Sequence, residues 1–586
     1  MTGGVAGDQA GAITPLPPRS GTLEHVLDLL IHGARIRTGD PARQTATSIG
    51  IWNGHVVGLD EQLAGIPATA TVDADGAVLV PGFCDAHCHT TSYGLGLVLL
   101  DLSDTRGAAA ILEAVSEYAA GLDDDDWVIG TGYGTGLPLG EHVTRDELDR
   151  AAGGRPVWLT HFAGHSCVVS SAVLAAVGMT SGTTAERGRI GADAAGRPNG
   201  LLEESVMDLV KDHVGPSSAE QLARAIDVAT SQYAREGITA FTDAGIGCPG
   251  MDHSPVEIAA YQLARARGWL RARAQLMVHN EVMHELTSHP DDAIDRGLDL
   301  GVHTGFGDAW LGLGAMKIWV DGLGVAGADG RPDWDNDPGI LRRDIIAAHR
   351  AGWQVAAHAM GDHAIDLVLS ALAQARAAGP SPAQVAEPLH RIEHGALIRP
   401  DQIAQLAAAG LTVVTQPALV TEFGDLFGDV VAEHRLAEVF RAQSLLDAGI
   451  AIAGSSDRPV VAGSPLRGMQ SMVQRLSASG TVHGPAERMT AAAALAACTA
   501  GGARAARAGQ QRGLLAPRLA ADLVLLADDP VTVQADRIAA IAVLTTVVDG
   551  QVSHDMAGLL AAAGLPELPR HWRAAGTGAG EPADAR

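Results

Sequence analysis

The sequence predicts an α/β chain built on a (β/α)8 barrel of the TIM type, with a composite β-sandwich made from both termini and an inserted subdomain. Three observations lead there. The middle of the chain alternates apolar, strand-like runs with Ala-rich helical stretches, the pattern of successive parallel βα units. Eight such runs can be placed, the number a closed barrel of this type needs. Two β-rich pieces of similar texture flank this middle region.

Residues 1–24 are rich in Gly, Pro and Thr and are expected to be a flexible tail. Residues 25–80 hold short β-branched runs divided by Gly and Asp, and 490–560 repeat that texture, so the two are expected to form one sandwich. The barrel is expected over 81–489. Its strands centre on 79–89, 238–245, 271–279, 315–322, 353–361, 390–395, 411–417 and 450–457. Between the first two strands lie about 150 residues, far more than a barrel loop holds. Residues 95–230 carry helices and strands of their own and are expected to be a subdomain over the active-site face. Residues 573–586 are expected to be a second flexible tail.

Composition narrows the function. The chain has 586 residues and a net charge of −27, which disfavours binding to phosphate backbones and so excludes nucleic acid as a partner. No run approaches the length of a membrane span, and the first residues lack the basic and apolar regions of a signal peptide. Five scattered cysteines, at 84, 88, 167, 248 and 498, fit a reduced, cytoplasmic protein without a disulfide framework. Of 41 basic residues only Lys211 and Lys317 are lysines. A lysine that survives in such a chain is a candidate for chemistry that arginine cannot do. Lys211, beside Asp212 on a polar helix face, needs no such explanation.

The chemistry is suggested by the strand ends. Five strands close on residues able to bind a metal: His87 and His89, then Lys317, His358, His394 and Asp457. The C-terminal strand ends form the active site of such a barrel, so these side chains should converge. Residues two apart on a strand share a face, so strict alternation puts His87, His89 and Asp85 inward and Cys84, Ala86 and Cys88 outward. That makes the cysteines packing residues rather than zinc ligands. Lys317 stands among apolar neighbours, where desolvation favours the neutral amine. A neutral amine can add carbon dioxide to give an anionic carbamate ligand. A salt bridge to Asp321 and a Schiff-base role are the alternatives. His358 and His394 can hold a second metal, or one of them can polarise a substrate carbonyl. Asp457 can bind metal and take a proton from water. His390 is expected to be structural, and Asp362 to cap the helix that follows it.

The segments PGFCDAHCH, MKIWVDG, HAMGD, HRIEH and GSSDRPV, in this order, resemble the amidohydrolase superfamily. More narrowly they resemble amidohydrolase family 3, the branch of YtcJ-like proteins and N-substituted formamide deformylases. TRDELDRAAGGRPVWLTHFAGHS and GLLAPRLAADLVLLADDP extend the likeness from about residue 27 to 555. The resemblance implies a barrel-plus-sandwich fold and one or two divalent metal ions, zinc being the expected one. It implies that His87, His89 and Asp457 hold one ion, and that a carboxylated Lys317 bridges to a second held by His358 and His394. It further implies hydrolysis of a non-peptide C–N bond in a small amide or N-acyl or N-formyl amine, with Asp457 and His394 as the catalytic pair. Cys88, His363 and the second strand's ending TDAG depart from the usual pattern. The first two bear on substrate fit; the third removes nothing essential. His165 and Trp334, the latter in the Gly- and Asp-rich loop 322–341, are the expected substrate-binding residues. For His165 a structural role stands equally open. A cyclic amide, carbamate or ester substrate, deamination on the same centre, and an inactive regulator with this fold are the rival readings. The expected partners are the small-molecule substrate and, at most, a second copy of the chain.

Overall fold

Eight parallel strands run in consecutive order through one sheet: Phe83–Cys88, Ile238–Ile246, Arg273–His279, Leu311–Trp319, Val355–Ala359, Arg391–His394, Thr412–Thr415 and Ile452–Gly454. Each falls on one of the eight predicted runs. This computed structural model describes residues 26–565 except 123–125, 135–136, 139–140, 162–165, 181–182, 184–187, 215–216, 249–255, 293, 323–333, 380–388 and 557. Between the eighth strand and the first, the ring is drawn together at its C-terminal end. Asp457 N–H donates to the His87 carbonyl at 2.8 Å, and His89 N–H donates to the Arg458 carbonyl at 2.9 Å. The result is a TIM-type barrel.

The strands are apolar because they are covered on both faces. All nine residues of Ile238–Ile246 are buried. The helices are amphipathic and well punctuated. Pro338–Arg350 begins at Asp337, whose carboxylate accepts from Gly339 and Ile340 N–H, with Pro338 in the first turn. Leu341, Ile345 and Ala348, at helical spacing, form its buried stripe. Ala219–Arg235 begins with a capping box between Ser218 and Gln221. It reaches the second barrel strand through Gly237, whose φ of +81° suits glycine.

Between the first helix and Ala219–Arg235 the chain builds a separate six-stranded sheet. Its order is Arg189–Ala192, Pro198–Glu203, Ser166–Val169, Val157–His161, Val128–Tyr133 and Leu100–Asp101. The two ends of the chain also meet. A second six-stranded sheet places Leu523–Leu526 antiparallel to Val78–Pro81, and continues through Val543–Val548 and Gln551–Asp555 on one side and Arg35–Arg37 and Thr45–Ala46 on the other. A four-stranded sheet of N-terminal strands lies against it, and Leu29, Ile31, Leu79 and Leu523 share one apolar core. Among the described residues no helix is long and apolar enough to cross a membrane.

Two local expectations need correction. Gly361, not Asp362, is the cap of Asp362–Ala377. Asp362 stands in the first turn and pairs with Arg435 at 3.0 Å and Arg399 at 3.4 Å, so its charge serves ion pairs and the positive helix end. Strict alternation also fails in the first strand, whose register with Ile238–Ile246 shifts on both sides of the Ala240–Phe241 pairs. Asp85 pairs in the ladder with Phe241 and bonds to Ser456, while Ala86 packs with Val414 and Ala453.

Arg273, the first residue of the third strand, ties the barrel to the terminal sheet. Its guanidinium is 3% exposed and bonds Asp522 at 2.8 and 3.1 Å and Asp549 at 2.9 Å. Replacing Asp522 with Ala should cost about 2–3 kcal/mol, less than the ~3–5 kcal/mol of a buried charge left wholly single, because Asp549 remains. Denaturant unfolding checks this, and a loss under about 0.5 kcal/mol would contradict it.

Candidate metal centre

The barrel closure carries the site. His87 and Asp457 are joined through their backbones, and Asp457 sits in the left-handed region at φ +59°. His394 does so too, at φ +71°. Two non-glycine residues held in this sparsely populated region both aim side chains into the same ring.

His87, His89 and Asp457 each offer a ligand atom, all within 4.8 Å of one another, and all three residues are buried. Asp457 Oδ1 lies 3.1 Å from His89 Nε2 and 3.4 Å from His87 Nε2. Lys317 Nζ reaches His87 Nε2 at 3.0 Å. The His394 ring packs at 5.1 Å from that of His87 and at 4.4 Å from that of His358. All six residues predicted at strand ends are therefore brought together. Asp321, the alternative partner for Lys317, instead accepts N–H from Met360 and Gly361 and lies 3.8 Å from His358 Nε2. Trp334 forms an isolated bridge with Asp321, which puts it beside this group. His165 and residues 323–333 of the Gly- and Asp-rich loop lie outside the described residues. His390 is structural: it contacts His349 at 2.8 Å and accepts from Val355 N–H.

The electrostatics suit a cation. Burial, then the neighbouring Lys317 charge, depresses His87 well below the usual histidine range. Burial, then His394, does the same for His358, and burial lowers His394. Neutral imidazoles are the form that binds metal. Burial opposes ionisation of Asp457, but the hydrogen bond with His89 outweighs it and lowers the carboxylate below its usual range. Burial lowers Lys317 to about 8, with Glu393 and Asp457 opposing.

The donor set passes a further test of fit. His87 Nδ1–H donates to Glu393 Oε2 at 2.5 Å, which leaves the Nε2 lone pair facing the cluster. His394 Nδ1–H donates to Gln416 Oε1 at 2.7 Å, so its Nε2 is likewise the lone-pair nitrogen. His358 Nε2 is buried without a hydrogen bond, the expected state of a nitrogen that awaits a metal.

Sequence reasoning missed this supporting layer. Arg391 forks onto both Glu393 oxygens at 2.7 and 2.8 Å and also holds the Ala86 carbonyl. Gln416 is fixed by Ser455. The available signal was the spacing in HRIEH: Arg391 and Glu393 share a face two apart, one residue before a ligand-type histidine. Arg458, 1% exposed in its side chain, lies 5.0 and 4.6 Å from the Tyr93 and Tyr233 rings and pairs with Glu236 at 2.7 Å, bracing the turn after Asp457.

Comparison with known proteins agrees with the geometry. A model of the amidohydrolase family matches residues 70–554. The protein of Bacillus subtilis (strain 168) named "Putative amidohydrolase YtcJ" is 30% identical over 507 residues, covering 84% of this chain and 92% of that protein. The N-substituted formamide deformylase of Arthrobacter pascens is 27% identical over 556 residues, covering 91% and 99%. A metal-dependent hydrolase from Pyrococcus horikoshii OT3, known by its crystal structure, superposes with a TM-score of 0.68 at 21% identity, covering 87% of this chain and 99% of that one.

The Glu393 contact gives a direct prediction. Glu393→Gln should weaken divalent-metal affinity about 10–100-fold while the far-UV spectrum stays unchanged. Unaltered affinity in a metal titration would show that the carboxylate does not orient His87.

Proposed function

This chain belongs to the amidohydrolase family, and we propose that it hydrolyses a non-peptide C–N bond in a small amide, an N-formyl or N-acyl amine, at the centre built from His87, His89, Lys317, His358, His394 and Asp457. The observation that carries this reading is the close approach of the His87 and His89 imidazoles and the Asp457 carboxylate, within 4.8 Å, at the closed end of the barrel. A divalent ion, zinc being the first candidate, would supply an acidified water and polarisation of the substrate carbonyl.

The residues divide the work. His87, His89 and Asp457 would hold one cation. Lys317, buried and with its amine lowered to about 8, would add carbon dioxide with loss of a proton to solvent, and the resulting carbamate, with His358 and His394, would hold a second cation. Asp457 accepts a proton from the attacking water as oxygen adds to the carbonyl carbon. It returns that proton to the nitrogen as the C–N bond breaks, so the products are a carboxylic acid and an amine. His394, fixed by Gln416, would be the second catalytic residue, polarising the substrate carbonyl. Trp334 forms part of the substrate wall. The deformylase relative supports N-formyl amines as the first compounds to try.

Three outcomes follow. Purified protein should contain about one to two divalent ions per chain, and a chelator should abolish hydrolysis of N-formyl amines, with zinc restoring it. Asp457→Asn should lower kcat about 10²–10⁴-fold. Lys317→Ala should lose activity and regain part of it with added acetate or formate, which supply a carboxylate where the carbamate stood. Absence of bound metal and of hydrolysis, with zinc present in excess, would overturn the proposal.

A further inference from the structure

At the other end of the barrel lies a cleft of about 630 Å³, walled by the start of the third strand at Arg273 and by the segment that follows the last barrel helix. His279 and Lys317 stand at the far ends of their strands, so this cleft is on the face opposite the metal-candidate cluster. In a chain of net charge −27 its lining is basic: Arg273, Arg507, Arg512 and Arg518 against Asp308 and Asp549. Both carboxylates are already engaged. Asp308 pairs with Arg265 at 2.7 Å, and Asp549 with Arg273 at 2.9 Å.

Arg512 is the exceptional residue. It is 7% exposed, and its Nε has no hydrogen-bond partner. Among the described residues no ion pair reaches its guanidinium. Its charge is drawn toward Asp522, whose oxygens Arg273 already holds, and a buried donor left without an acceptor is costly. Arg507 and Arg518 stand exposed on the rim of the same cleft.

We propose that this cleft is a binding site for a small phosphate-type oxyanion, seated on Arg512 and closed over by Arg507 and Arg518. The planar guanidinium donates two parallel hydrogen bonds to such an anion, which lysine cannot do. The anion comes either as free phosphate or as the phosphate of an organic monoester, whose apolar body would lie on Phe306, a cleft residue 64% exposed.

Calorimetric titration of the metal-loaded full chain, in chloride buffer at constant ionic strength, tests this with inorganic phosphate as the probe. The wild type should bind it saturably at one site. Arg512→Gln should weaken binding about 10–100-fold, the range of lost charge-assisted hydrogen bonds, and Arg507→Gln by a smaller factor of about 2–10. Phenyl phosphate then separates the sources: tighter binding that still depends on Arg512 means an organic monoester, and equal binding means free phosphate. No saturable binding to the wild type overturns the site. So does equal affinity in Arg512→Gln, the result expected if phosphate lodges at the metal centre. Should Arg512→Gln fail to fold, the double rim variant R507Q/R518Q decides, and unchanged phosphate affinity there overturns the proposal.

Discussion

The rest of the structure hangs on one pair of backbone hydrogen bonds, those that join His87 to Asp457 and His89 to Arg458. They draw the first and eighth strands together where no ladder runs between them. Three of the four residues that make the closure, His87, His89 and Asp457, also carry the side chains of the candidate metal-ligand set. Closing the barrel and assembling the site are therefore the same event. The left-handed backbone at Asp457 and His394 is paid for by that closed ring, which leaves neither residue an alternative.

Around this joint the molecule holds His87, His358 and His394 below the usual histidine range and one carboxylate charged inside a protein core. Burial alone would favour both the neutral imidazole and the neutral acid. Asp457 escapes through its hydrogen bond with His89, whereas His87 is depressed further by Lys317. Glu393 then decides which ring nitrogen of His87 is free, and Arg391 decides where Glu393 stands. The chain of control runs from a buried ion pair through a tautomer to a lone pair. It explains why so much charge is kept at the centre of an apolar barrel.

Much of this was legible in the sequence, for identifiable reasons. The eight strands announced themselves by apolar runs, since a parallel sheet covered on both faces leaves no other pattern. His87, His89, Lys317, His358, His394 and Asp457 were visible because polar ligand-type residues at the ends of such runs have no packing role. Glu393 was not, because it stands between two histidines that drew attention, and its partner His87 is 306 residues away in the chain. Asp85 was misplaced because a register shift in a strand leaves no compositional mark. Arg512 could not stand out in a chain whose basic residues are nearly all arginine; its buried Nε without an acceptor and its place in the cleft appear only in the folded chain.

The central claim is that barrel closure presents His87, His89 and Asp457 as one ligand set. The most direct measurement is a crystal structure of zinc-loaded protein phased for the anomalous signal of the metal. The account predicts an ion about 2.0–2.2 Å from the Nε2 atoms of His87 and His89 and from an Asp457 carboxylate oxygen. An ion bound elsewhere, or no anomalous peak within the ring of strand ends, would contradict it.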